Sequence, residues 1–144
     1  MSRLPSAVLF ACTMNAVRSP MAEALTKSLL GKRMFVDSVG VRGGAEVDGF
    51  VIAVMDEIGL DLRHHRCKTF DDLEDGSFDL VVSMSPDAQH RAVELTRTGA
   101  CVVEFWPTFD PSIVDGNRGK KLAAYRQVRN ALRERILTRF LVGP

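Results

Sequence analysis

Cys12-Thr13-Met14-Asn15-Ala16-Val17-Arg18-Ser19 places five residues between a cysteine and an arginine, and its closing serine precedes Pro20. A loop of that length can wrap an oxyanion, its backbone N–H groups turned inward and the positive end of a following helix behind them. The guanidinium of Arg18 can hold two oxygens of a phosphate at once. The same field favours a thiolate at Cys12, because cysteines beside cations or helix N-termini fall from a pKa of about 8.5 to roughly 3.5–7.5. Ser19 can donate its hydroxyl to that sulfur. Nucleophile, anion cradle and activation are thus gathered in one loop, with Thr13, Met14, Asn15, Ala16, Val17, Arg18 and Ser19 as the candidate phosphate-binding residues.

Such a loop needs a rigid frame on both sides. Ala7–Ala11 is an apolar run without alternation, as in a central strand buried on both faces. Pro20 then opens a helix to about Leu30, with Ser19 in the N-cap position. Met34–Val39 reads as a second strand, ended by the Gly-rich stretch Gly40–Gly44. Asp48–Ile58 carries Val51, Ile52, Val54, Met55 and Ile58 at helical spacing, and Gly59 supplies a stop. Phe78–Met84 reads as a third strand, Pro86–Thr96 as a helix and Cys101–Trp106 as a fourth strand. After a loop from Pro107 to Gly116, a helix over Asn117–Leu141 sets Leu122, Tyr125, Val128, Leu132, Ile136 and Phe140 along one stripe. Strands alternating with helices imply a parallel sheet with right-handed crossovers and helices on both faces. Ligands in such folds bind beyond the carboxyl ends of the strands, which is where the cysteine loop falls.

The bulk properties narrow the partners. A length of 144 residues fits one domain with one proper core, and 46% hydrophobic against 26% charged residues is a globular balance. The net charge of +1 supplies no global field toward nucleic acid or an anionic membrane. Affinity for phosphate must therefore be local. Cys12, Cys67 and Cys101 are odd in number and far apart, which argues against a disulfide framework or a CxxC metal site. The apolar run Ala7–Ala11 is too short for a signal peptide or a membrane span, so a cytoplasmic protein with reduced thiols is expected.

Val8-Leu9-Phe10-Ala11-Cys12, Asn15 and Arg18-Ser19-Pro20-Met21-Ala22-Glu23-Ala24 together resemble the signature of the low-molecular-weight protein tyrosine phosphatases. Asp37-Ser38-Val39-Gly40, His65-Arg66, the run Phe78-Asp79-Leu80-Val81-Val82-Ser83-Met84 and the dipeptide Asp110-Pro111 are similar to further segments of that family. The resemblance implies a single domain over residues 1–144, a three-layer α/β sandwich whose four-stranded parallel sheet runs in the order 2-1-3-4. It implies hydrolysis of phosphate monoesters through a cysteinyl-phosphate, with phosphotyrosine in proteins as substrate and inorganic phosphate as product. No metal or other cofactor, nucleic acid or membrane is expected to take part. Cys12 would be the nucleophile and Arg18 the clamp. Asp110, on a loop at the same sheet edge, would protonate the leaving group and later take a proton from water. By the same resemblance Asn15 holds the loop in an unusual backbone conformation, helped by hydrogen bonds from Ser38 and His65; asparagine tolerates left-handed backbone well.

Some positions depart from the family pattern. Met14 stands where glycine is frequent, Val17 where many members have a second cysteine that protects the first, and Ser112-Ile113-Val114 where tyrosines often follow the Asp-Pro. Asp115 reads as a cap for the last helix, and Trp106 and Phe109 as either a substrate wall or core. The basic run along the last helix (Lys120, Lys121, Arg126, Arg129, Arg133, Arg135, Arg139) reads as a solvated face or a dock for an acidic partner. Two other activities use comparable parts. One is arsenate reduction, which in similar reductases relays the thiolate through two cysteines near the end of the third strand; Ser83–His90 holds none, leaving external thiols. The other is a binding module for phosphoproteins or anions.

Overall fold

The fold is taken from a computed structural model that describes residues 4–73, 77–95 and 101–142. Strand β1 (Ala7–Cys12) is buried along its whole length, as its unbroken apolar sequence requires. It pairs in parallel with β2 (Phe35–Gly40) on one side and β3 (Leu80–Ser83) on the other, and β4 (Val102–Phe105) flanks β3. The order is β2-β1-β3-β4, as expected from the sequence.

Alternation along β1 sends its side chains to opposite faces. Val8, Phe10 and Cys12 join Met21 and Leu25 of α1 (Arg18–Leu30), Val51, Val54 and Met55 of α2 (Gly49–Asp56), and Tyr125, Val128, Leu132 and Ile136 of α4 (Arg118–Ile136). Ala7, Leu9 and Ala11 instead meet Phe70, Val81 and the alanines Ala88 and Ala92 of α3 (Pro86–Leu95). Helices therefore cover both faces. Among the described residues no helix is long and apolar enough to cross a membrane.

Element ends moved by a residue or two, and two caps differ in kind. Helix α1 begins at Arg18, so Ser19 lies inside its first turn and Val17 takes the N-cap position without a side-chain bond. The Ser19 hydroxyl is engaged by the cysteine loop instead, as described below. The last helix is capped by Asn117, whose Oδ1 accepts from the Lys120 amide at 2.9 Å, and not by the exposed Asp115. Beyond Ile136 that helix widens into a π-helical segment over Leu137–Val142, which seats Phe140 against Trp106 with ring centroids 6.4 Å apart. Helix α2 stops at Asp56 rather than Ile58, before Gly59 at φ 79°. The expected end of the third helix at Thr96 lies outside the described residues.

The basic run on α4 is partly paired. Arg126 and Arg129 both bind Glu57, at 2.7 and 2.8 Å, and Arg139 binds Glu104 at 2.8 Å. The two arginines on Glu57 hold its carboxyl at about 2, through hydrogen bonds first and charge second.

Candidate active site

The cysteine loop leaves the carboxyl end of the central strand and runs directly into α1. Cys12 is only 2% exposed, and its Sγ lies 2.9 Å from the Ser19 hydroxyl. That hydroxyl already accepts a hydrogen bond from Asn15 Nδ2 at 2.9 Å, so its own hydrogen is available to the sulfur. Its other acceptor, the Val39 carbonyl, is farther away at 3.4 Å. The backbone amides of Met14, Asn15, Ala16 and Val17 donate to no protein acceptor among the described residues. Four donors in one short loop, next to a helix N-terminus, form a ready acceptor of an oxyanion.

Arg18 is mostly buried, and both terminal nitrogens of its guanidinium meet an acceptor. One terminal nitrogen donates to the Thr108 carbonyl at 3.1 Å, and the other reaches Thr13 Oγ1 at 3.5 Å. Thr13 is itself anchored: its hydroxyl donates to Asp87 Oδ1 at 2.9 Å and lies 3.1 Å from Ser85 Oγ. Ser85 gives its own hydrogen to the same carboxylate oxygen at 2.6 Å, and the Ala88 amide adds a contact at 3.0 Å. Burial pushes the Asp87 carboxyl up, but the hydrogen bonds from Ser85, Thr13 and Ala88 outweigh it. The net result lies below the ordinary carboxylate value.

The family model for low molecular weight phosphotyrosine protein phosphatases matches residues 7–139, which takes in all of this geometry. The chain belongs to that family. A relative named arsenate reductase, from Halalkalibacterium halodurans, is 31% identical over 131 residues, covering 91% of this chain and 92% of its own. A solved low molecular weight protein tyrosine phosphatase from T. tengcongensis superposes with a TM-score of 0.72 at 27% identity, over 90% of this chain and 94% of that one. A tyrosine phosphatase of Erwinia amylovora shares the fold, with a TM-score of 0.74 at 19% identity over 92% and 89% of the two chains. The family thus contains both phosphatases and arsenate reductases by name.

In this member of the phosphatase family Asn15 is fully buried at φ 58°, the only non-glycine with positive φ among the described residues. All four of its hydrogen-bonding positions are used. Nδ2 donates to Ser19 and Ser38 Oγ, both at 2.9 Å; Oδ1 accepts from the Lys68 amide at 3.0 Å and faces His65 Nε2 at 3.2 Å. A carbonyl oxygen can only accept, so Nε2 carries the hydrogen. His65 therefore donates to Asn15, as expected. Ser38 receives from it, which reverses the expected direction, because the Ser38 hydroxyl is spent on the Glu23 carboxylate.

Burial, opposed by the charge of Glu23, holds His65 below the ordinary imidazole value. The unfolded chain therefore takes up a proton near pH 6.5 that the folded chain takes up only at lower pH. Stability present above that pH is lost as the pH falls toward the folded value. Urea midpoints are expected to drop between about pH 7.5 and 5.5, and to drop less in His65→Gln. An equal drop in both proteins would remove His65 from the explanation.

Gly40, opposite Cys12 in the β1–β2 ladder, is fixed by close approach of the loop. A Cβ there would lie 2.6 Å from the Met14 carbonyl carbon and 2.7 Å from the Asn15 nitrogen. Gly40→Ala is expected to cost roughly 1–3 kcal/mol of stability by overpacking. Unchanged urea midpoints would contradict this close approach.

Asp110 sits half-buried beyond β4, on the loop whose Thr108 carbonyl holds Arg18. Its Oδ1 accepts from the Ser112 amide and hydroxyl at 3.0 and 2.7 Å, while Oδ2 receives no hydrogen bond from the described residues. Its charge also reaches Tyr125, whose phenol is pushed up by burial first, then by its 2.6 Å hydrogen bond to Asp48, then by Asp110. Asp48 in turn donates its amide to the Ala16 carbonyl in the cysteine loop. The acid loop and the cysteine loop therefore meet at one sheet edge. Trp106 is core, packed edge-on against Phe10 at 6.0 Å, whereas Phe109 is 56% exposed. Met14 is 36% exposed.

Sequence reading missed Thr108, Lys68, Ser85 and Asp87. The first two act through the backbone, which leaves no side-chain signature. Ser85-Pro86-Asp87 reads as an ordinary helix start, and only the fold brings it to Thr13.

Proposed function

We propose that this chain is a cysteine-dependent phosphatase acting on phosphate monoesters, with phosphotyrosine in proteins as its substrate class. The observation that carries the reading is the 2.9 Å contact between Cys12 Sγ and the Ser19 hydroxyl, whose alternative acceptor is the more distant Val39 carbonyl, inside a loop whose amides meet no acceptor among the described residues. Phosphate binds to those amides and to the Arg18 fork. The Cys12 thiolate attacks phosphorus, the bond to the leaving oxygen breaks, and Asp110 supplies that oxygen with a proton. Water, deprotonated by the Asp110 carboxylate, then cleaves the cysteinyl-phosphate. Inorganic phosphate leaves and Ser19 stabilises the restored thiolate.

The names of the relatives favour a second reading, arsenate reduction. It requires thiols that are oxidised as arsenate is reduced, from this chain or from outside it. Cys101 precedes β4, at the opposite edge of the sheet from Cys12. The Cys67 thiol is pushed up by burial first and by the charge of Cys12 second, so less of it is thiolate. Phosphate-ester hydrolysis needs no such partner. The two readings separate when one preparation is assayed for p-nitrophenol release with chelator present and for arsenate-dependent oxidation of a small thiol. The phosphatase reading predicts turnover in the first assay, and arsenate reduction alone would overturn it.

A further inference from the structure

The hydrogen bonds of Thr13 have a fixed direction. Asp87 can only accept, so the hydroxyls of Ser85 and Thr13 both point their hydrogens at its Oδ1, 2.6 and 2.9 Å away. Thr13 is left with its lone pairs turned outward, and one of them faces the Arg18 terminal nitrogen at 3.5 Å. The other terminal nitrogen is held by the Thr108 carbonyl. Two acceptors, one on each terminal nitrogen, fix the orientation of the guanidinium.

We propose that Asp87 is a positioning residue for the anion cradle, acting through Thr13 to orient Arg18. The inference rests on residues 12–19 being that cradle. It makes an unusual demand of a carboxylate beside an anion site. By charge alone, Asp87 repels phosphate, and its removal strengthens binding. By positioning, its removal weakens binding, because Thr13 is freed to turn its hydroxyl hydrogen toward Arg18 and the fork loses one of its two acceptors.

Inorganic phosphate binding, measured by titration calorimetry at neutral pH, tests this without requiring turnover. Asp87→Ala is expected to bind about tenfold more weakly, despite the lost negative charge, an effect the size of one oriented hydrogen bond to a charged group. Asp87→Asn, which also lacks the charge but keeps an acceptor oxygen, should recover most of that loss. Thr13→Val should weaken binding similarly, and the double variant should be no weaker than either single one. Failure of the wild type to bind phosphate would overturn the cradle reading and this proposal together. Wild-type binding with Asp87→Ala unchanged or tighter, additive losses in the double variant, or an Asp87→Asn as weak as Asp87→Ala would overturn the proposal alone.

Discussion

Replacing Arg18 with lysine is expected to lower kcat/KM for p-nitrophenyl phosphate by roughly 10²–10³-fold, although the positive charge is retained. The reason is geometric. The guanidinium is planar, and each of its terminal nitrogens already holds one acceptor, the Thr108 carbonyl and Thr13 Oγ1. Its remaining N–H groups can grip two phosphoryl oxygens together as the transition state spreads charge over them. An ammonium presents a point charge with no fixed fork, and it cannot span those two acceptors and the phosphate at once. Steady-state kinetics read the effect. The loss should fall largely on kcat, since the fork is matched to the transition state more than to the ground state. A lysine variant within a few-fold of wild type would show that charge alone suffices and that the buried fork has no special role.

Asp110→Asn carries the other large effect, and its size should depend on the leaving group. An amide cannot give up a proton as a carboxylic acid does, and general acids contribute about 10²–10⁴-fold. A tyrosine phenol, with a pKa near 10, needs that proton far more than p-nitrophenolate does. The loss in kcat should therefore be larger for a phosphotyrosyl peptide than for p-nitrophenyl phosphate. The fold tolerates the change, because an asparagine Oδ1 can still accept from Ser112, as Asp110 does at 3.0 and 2.7 Å. Equal, small losses with both substrates would remove Asp110 from the acid role. Asp48, hydrogen-bonded to Tyr125 near the same loop, would then be the next carboxylate to replace.

What the sequence reveals, and what it hides, follows from how each feature is encoded. The central strand is readable because Ala7–Ala11 is buried on both faces and carries no polar residue. The sheet order is not written in any local pattern; resemblance to a family implies it, and the pairings of β1 with β2 and β3 and of β3 with β4 bear it out. Ser19 reads as an N-cap because serine suits the position before a helix-opening proline. Asn15 donates to that hydroxyl and the Cys12 sulfur lies within reach of its hydrogen, at 2.9 Å each, so the tertiary contacts decide its use. Asp115 was a plausible cap only by proximity, and Asn117 occupies the position where a side chain can reach the Lys120 amide. The supports behind Arg18 were invisible for another reason. Thr108 contributes a main-chain carbonyl, and Asp87 is separated from Thr13 by 74 positions in sequence.

The covalent step is the center of the proposed mechanism, and one experiment addresses it directly. Wild-type protein turning over p-nitrophenyl phosphate in the presence of chelator is quenched in acid, and its phosphate is located by peptide mass mapping. The mechanism predicts phosphate on Cys12, with neither turnover nor cysteinyl-phosphate in Cys12→Ser. Turnover that persists in Cys12→Ser, or phosphate found on another residue, would contradict it.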